Sequence, residues 1–194
     1  MVTAVVALRS VVSPAPRSAW QAVFDQDAEA VPYQSPQWTD ALCRSAHRQD
    51  GSRLYTFSDG TQMVMPLIAH PRLPALMDMA GSMPWGWGIG GLVSTSPVQA
   101  EHIRAVVSDL TGRAPYLRLS IRPNPRAGEV WKAAMPAGAR RVDRLSHAID
   151  LAGGFDAVWH KRFSSSTRKY VTRAEQAGVV VESDDRGRLV PASR

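Results

Sequence analysis

A mixed α/β (α+β) fold is the class this 194-residue sequence predicts. Three observations carry it. Valine-rich or alternating runs that read as strands are interleaved with segments whose apolar residues recur at helical spacing. Breakers of the Gly, Pro, Asp and Ser type fall between them. No internal repeat or low-complexity tract is present. Hydrophobic residues make up 44% and charged residues 21% of the chain, which excludes wholesale disorder.

The elements follow in order. Residues 4–12 are valine-rich and read as a strand ended by Ser13-Pro14-Ala15-Pro16. Residues 17–26 place Trp20, Val23 and Phe24 at helical spacing, with Ser18 as the expected cap. Ser35 followed by Pro36 is an N-cap and first helical position, so a second helix is predicted over 36–47, burying Trp38, Ala41 and Leu42. Asp59-Gly60 between extended runs 53–58 and 62–70 is a hairpin signal. A helix over 97–110 has Ile103, Val106, Val107 and Leu110 on one face. A strand over 116–121 ends at Arg122-Pro123-Asn124-Pro125, and a short helix over 129–135 and a strand over 146–151 follow. Gly153-Gly154 introduces one long helix over 155–177, closed by Gly178. Residues 179–182 then read as a strand and 184–187 as a turn.

Charge narrows the function classes. Lys+Arg number 23 against 17 Asp+Glu, a net charge of +6 and a pI near 10.1. Only Lys132, Lys161 and Lys169 are lysines, so the excess is arginine, as a GC-rich coding sequence also produces. Where the cations cluster they suit an anionic partner. A single cysteine, Cys43, excludes an internal disulfide and points to a cytoplasmic protein. The stretch 74–93 is broken by Asp78, Pro84 and several Gly or Ser residues, so no transmembrane span is expected. No basic residue precedes the first apolar run, so no signal peptide is expected either.

Few residues announce chemistry. The glycine-rich run 86–91 lacks the Lys-Ser/Thr of a phosphate loop, and Leu92-Val93-Ser94 after it do not open a helix. Close backbone approach or a groove floor beside Trp85 and Trp87 suits it better. His47, His70, His102, His147 and His160 neither pair at metal-ligand spacing nor neighbour a nucleophile, so no metal is expected and no catalytic group is named. Asp25, Asp27 and Glu29 read as a helix end. In 155–177, Phe155, Trp159, Phe163, Tyr170, Ala174 and Ala177 form one stripe. Arg168 lies opposite, and Arg162, Lys169 and Arg173 share a flank. A solvated basic face on a core helix explains this pattern. So does an anion-facing helix, with Arg168, Lys169 and Arg173 as ligands for anionic groups and Trp38, Trp85 and Trp87 as groove walls.

Four segments in order carry a resemblance. They are Tyr33-Gln34-Ser35-Pro36-Gln37-Trp38; Asp59-Gly60 leading into Met63-Val64-Met65-Pro66-Leu67; Gly90-Gly91-Leu92-Val93; and the run from Phe163 through Arg168-Lys169, Arg173 and Ala174 to Gly178-Val179. Together they resemble the FemAB-like branch of the GNAT superfamily, the peptidoglycan-type aminoacyltransferases and their acyltransferase relatives. The resemblance implies a GNAT-like mixed sheet flanked by helices, as the first domain of a tandem over 1–151. The opening helix and strand of a second, incomplete domain would occupy 152–194. It implies transfer of an acyl group to an amine acceptor, with acyl-CoA or aminoacyl-tRNA as donor and a small molecule or cell-wall precursor as acceptor. The Gln/Arg-x-x-Gly-x-Gly/Ala loop of ordinary GNAT enzymes is absent. Leu42 stands near the position where some peptidoglycan transferases carry lysine. The alternative from another class is a non-catalytic domain whose basic helix grips nucleic acid or an anionic membrane surface.

Overall fold

The computed structural model describes residues 6–45, 48–70, 79–83, 88–112 and 116–183. The chain forms two compact units, Met1–Val142 and Asp143–Arg194.

In the first unit, strands β1 (Leu8–Val12), β3 (Arg53–Phe57), β4 (Gln62–Met65) and β7 (Val93–Ser94) make an antiparallel sheet in the order β1-β3-β4-β7. Strands β2 (Gln49–Asp50), β5 (Ile68–His70), β6 (Met79–Gly81) and β8 (Arg118–Ser120) make a second sheet in the order β2-β5-β6-β8. Its β6–β8 pair is parallel and the other two pairs are antiparallel. The helices are α1 (Arg17–Gln26), α2 (Pro36–Ser45), α3 (Ala100–Gly112) and α4 (Gly128–Ala134).

Strand periodicity sorts the side chains into layers. Successive residues of a strand point to opposite faces. Leu54, Val64 and Val93 therefore meet Trp20 and Val23 of α1, while Tyr55, Phe57, Met63 and Met65 meet Ile103, Val106 and Leu110 of α3 and Trp131 of α4. The second sheet behaves alike: Ile68 joins Leu42 of α2 and Met83, and Ala69 joins the α3–α4 side. Trp20, Tyr55 and Phe57 are fully buried. Each such side chain contributes about 1.5–3 kcal/mol of apolar transfer free energy.

The expected hairpin is present and tightly made. The Gly60 and Phe57 amides donate to the Phe57 and Thr61 carbonyls at 3.1 and 2.9 Å, and Asp59 Oδ1 accepts from the Thr61 amide at 2.9 Å. Ser35 caps α2, its hydroxyl accepting from the Trp38 amide at 3.2 Å. Helix α1 spans the predicted residues, but Pro16, not Ser18, occupies its N-cap and no side chain caps it. Ser18 lies inside the first turn. The run 62–70 is also not one strand: β4 and β5 pair in different sheets. Pro66, which has no amide to donate, stands at the crossing.

The second unit departs furthest from expectation. Helix α5 (Gly154–Lys161) and helix α6 (Ser165–Gln176) replace the single helix over 155–177. The Ser164 hydroxyl accepts from the Thr167 amide at 3.1 Å, and that local bond starts a new helix instead of continuing the old one. Beyond α6, the Gly178 amide donates to the Glu175 carbonyl and that of Val179 to the Ala174 carbonyl, closing the helix at the expected glycine. The strands expected over 146–151 and 179–182 are irregular chain. Neither finds a ladder partner among the described residues, and an isolated strand has no cross-strand bonds to hold it. The turn expected over 184–187 lies outside the described residues.

Candidate functional site

Gly88 and Gly90 are held to glycine by close packing. A Cβ on Gly90 would stand 2.6 Å from the Ser82 carbonyl oxygen, and one on Gly88 would stand 2.5 Å from the Tyr33 ring. Neither neighbour leaves room for a side chain. The Gly90 amide donates to the Arg122 carbonyl at 2.7 Å, and the Arg122 amide donates to the Ser82 hydroxyl at 2.9 Å. With Gly90 so engaged, its amide is not available to a phosphate.

Gln34 fastens this segment from the other side. It is fully buried, and its Nε2 lies 3.1, 3.4 and 3.2 Å from the carbonyl oxygens of Gly90, Gly91 and Leu92. Its Oε1 accepts from the Val31 amide, and its own carbonyl accepts from Trp20 Nε1 at 3.0 Å. A primary amide can donate and accept at once, so one side chain joins the turn before α2 to the glycine run. Sequence reasoning missed this role. The signal is a glutamine between an aromatic residue and a helix cap, where a surface residue would be equally at home.

Trp38 is half-buried on α2. Its ring meets Tyr33 edge-on at 5.0 Å and packs against the cluster of Leu42, Ile68 and Met83. Its indole nitrogen is buried without a hydrogen-bond partner. Tyr33 is 40% exposed, so this aromatic pair reaches the surface. Trp85 and Trp87, the other expected groove walls, lie outside the described residues. Cys43 packs against the same cluster, where burial pushes its thiol pKa up and favours the inert protonated form.

Two further clusters in this unit were not anticipated. Arg53 and Asp109 form a buried ion pair, Arg53 Nη1 to Asp109 Oδ2, and Tyr55 donates its hydroxyl to the same oxygen at 3.1 Å. Burial alone would lower the arginine pKa; the bond to Asp109 overrides it and the net shift is upward. Burial first, then the Asp109 charge, raises the Tyr55 phenol well above its usual range. The second cluster joins the hairpin to α3. His102 Nδ1 accepts from the Gln99 amide at 3.2 Å, which leaves Nε2 to carry the proton towards Asp59 Oδ2 at 3.3 Å. Asp27, in the acidic stretch, is a helix end as expected: it caps α1, and its two oxygens accept from the Glu29 and Ser94 amides.

The basic residues of the second unit do not converge. Arg168 folds back on α5, its Nη1 lying 3.3, 3.4 and 2.6 Å from the carbonyl oxygens of Trp159, His160 and Phe163. The Trp159 and His160 carbonyls belong to the last turn of α5, which a helix end leaves without amide partners, so Arg168 caps α5 while also holding the Phe163 carbonyl just beyond it. Lys169 and Arg173, one turn apart on α6, are exposed and share a face with Ser166 and Tyr170. Arg162 falls in the break between the helices, 3.4 Å from Asp150. All three expected anion ligands lie on α6, but Arg168 is spent on α5 carbonyls while Lys169 and Arg173 face outward. Among the described residues no group of three or more His, Cys, Asp or Glu side chains is placed to hold a metal ion. No helix among them is long and apolar enough to cross a membrane.

No family model, curated protein or solved structure matches the chain.

Proposed function

We propose that this protein is an acyl- or aminoacyltransferase scaffold of the FemAB-like, GNAT-related type, with the first unit as a GNAT-like domain. One observation carries the reading. Two of the segments that resemble the family, 33–38 and 90–93, are far apart in sequence yet are fastened together by Gln34. Residues that recur in order for a shared structural purpose support a common architecture better than either segment alone. One antiparallel and one mixed sheet, the first with helices on both faces, suit that architecture.

In this reading an acceptor amine attacks the carbonyl of a thioester or ester donor. A C–N bond forms, the donor's C–S or C–O bond breaks, and the amine proton leaves with the thiol or hydroxyl. Such a reaction gains chiefly from holding the reactants in line, so it needs few acid/base side chains. In the first unit the Tyr33–Trp38 pair offers an aromatic wall; in the second, taken by itself, Arg168 holds the α5–α6 corner and the exposed Lys169 and Arg173 serve anionic groups.

The test is thermal unfolding of the full chain with acyl-CoA or aminoacyl-tRNA at low and high salt. Saturable protection is expected, surviving high salt for acyl-CoA and depending on the aminoacyl group for tRNA. A donor present at a hundred times its Kd stabilises by about 2.7 kcal/mol. No protection by either donor rejects the proposal. So does protection by tRNA that is the same with and without its aminoacyl group, the mark of counterion release from a polyanion alone.

A further inference from the structure

We propose that the exposed side of α5 and α6, together with the 179–181 run, is a docking surface for an anionic lipid bilayer. The inference shares Lys169 and Arg173 with the transfer reading but does not need that reaction. It rests on what the second unit leaves uncovered.

The side chains are of two kinds, and on α6 they alternate along the sequence, Lys169 before Tyr170 and Val171, Arg173 before Ala174. Phe155 is 71% exposed, Tyr170 67%, Val180 80% and Val181 91%. The Phe155 ring stacks on Trp159 at 5.8 Å, and Trp159 meets Phe163 at 5.6 Å, so the aromatic row of α5 is continuous. No residue of α6 is buried. At 100° per residue, Tyr170, Ala174 and Val171 share one side of α6, with Lys169 and Arg173 along its edge. Residues 154–178 hold five Lys or Arg and two carboxylates, Asp156 and Glu175. An apolar side rimmed by cations, with aromatic rings at the boundary, is the form of a helix that lies in a membrane interface.

Charge and chemistry select the occupant. The cations require a negatively charged partner. Single-stranded nucleic acid would use the rings and the charges but has nothing for Val171, Val180 and Val181, which offer neither a stacking face nor a hydrogen bond. Acyl chains accept all three. In a two-fold dimer built on this side, the Lys169–Arg173 edges of both copies would add to one interface. An anionic bilayer satisfies the valines and the cations at once.

Co-sedimentation of the full chain with lipid vesicles tests this. Vesicles containing phosphatidylglycerol should carry the protein down at low salt, and pure phosphatidylcholine should not. The K169E/R173E pair changes only exposed side chains and should weaken binding by at least about fivefold per cation lost. A second variant, F155S/V180S, should weaken binding at every salt concentration while leaving the salt dependence unchanged. Equal binding to both vesicle types, no binding, or a K169E/R173E chain that binds like the parent overturns the proposal. Polyuridylate that binds the chain and displaces it from vesicles also overturns it, as does a stable dimer whose formation abolishes vesicle binding.

Discussion

Asp109 neutralises Arg53 in a largely buried setting, the Asp109 side chain being 2% and that of Arg53 10% exposed. Removing one partner of such a pair leaves a buried charge uncompensated. Asp109→Ala should therefore cost about 3–5 kcal/mol in denaturant unfolding, whereas the apolar double replacement Arg53→Met with Asp109→Leu should recover most of it. A double variant as unstable as the single one would show that the polar pair itself holds this part of the core. Asp59 gives a pH signature. The Thr61 amide is the main cause holding its carboxyl below the usual carboxylate range, with His102 adding to it. A lowered folded pKa means stability that is present above the unfolded value, about pH 3.9, and lost as pH falls through the folded one. The parent should exceed Asp59→Asn in stability at pH 6, and the gap should narrow on acidification below pH 4. At this scale the sequence was informative for local chemistry: Ser35, Asp59-Gly60 and Gly178 each act within a few residues of themselves. Gln34 and Asp109 act across more than fifty residues, and no local pattern encodes that partner. Arg53 did leave a trace, because it shares strand parity with buried Tyr55 and Phe57.

Elements were legible where a neighbour confirmed them. Helix α3 buries Ile103, Val106, Val107 and Leu110 as its spacing predicts, and β3 and β4 pair as their hairpin predicts. The stretches 146–151 and 179–182 have strand-like side chains but no ladder, because a strand is a property of two segments and a pattern describes only one. The broken helix teaches the converse. A stripe of period 3.6 runs through 155–177, yet Ser164 has a stronger local alternative. Arg168 belongs to this scale, since it caps α5 from within α6. Arg168→Ala should leave the last α5 carbonyls unpaired, at about 1 kcal/mol, and speed amide hydrogen exchange over 158–163. Unchanged exchange there, with loss of binding to acyl-CoA or aminoacyl-tRNA, would assign the residue to a ligand instead.

At the scale of the whole molecule, the division into Met1–Val142 and Asp143–Arg194 has a chemical correlate. Residues 136–153 form neither helix nor strand and are exposed throughout, and they include Arg140, Arg141 and Arg144. Limited trypsin digestion should cut first at these arginines, since exposed irregular chain is the preferred substrate of proteases. The fragment ending there keeps the α1–α4 core and should melt cooperatively. Early cleavage within α1–α4, or a fragment without a cooperative transition, would show that the first unit does not stand by itself.

The crossing at Pro66 bears on how the first unit responds to load. Because β4 and β5 are consecutive lengths of one strand-like run, the two sheets are joined by a covalent beam only two residues long. A disturbance that shifts one sheet has little slack to dissipate before it reaches the other, so the pair should yield together as a single mechanical block.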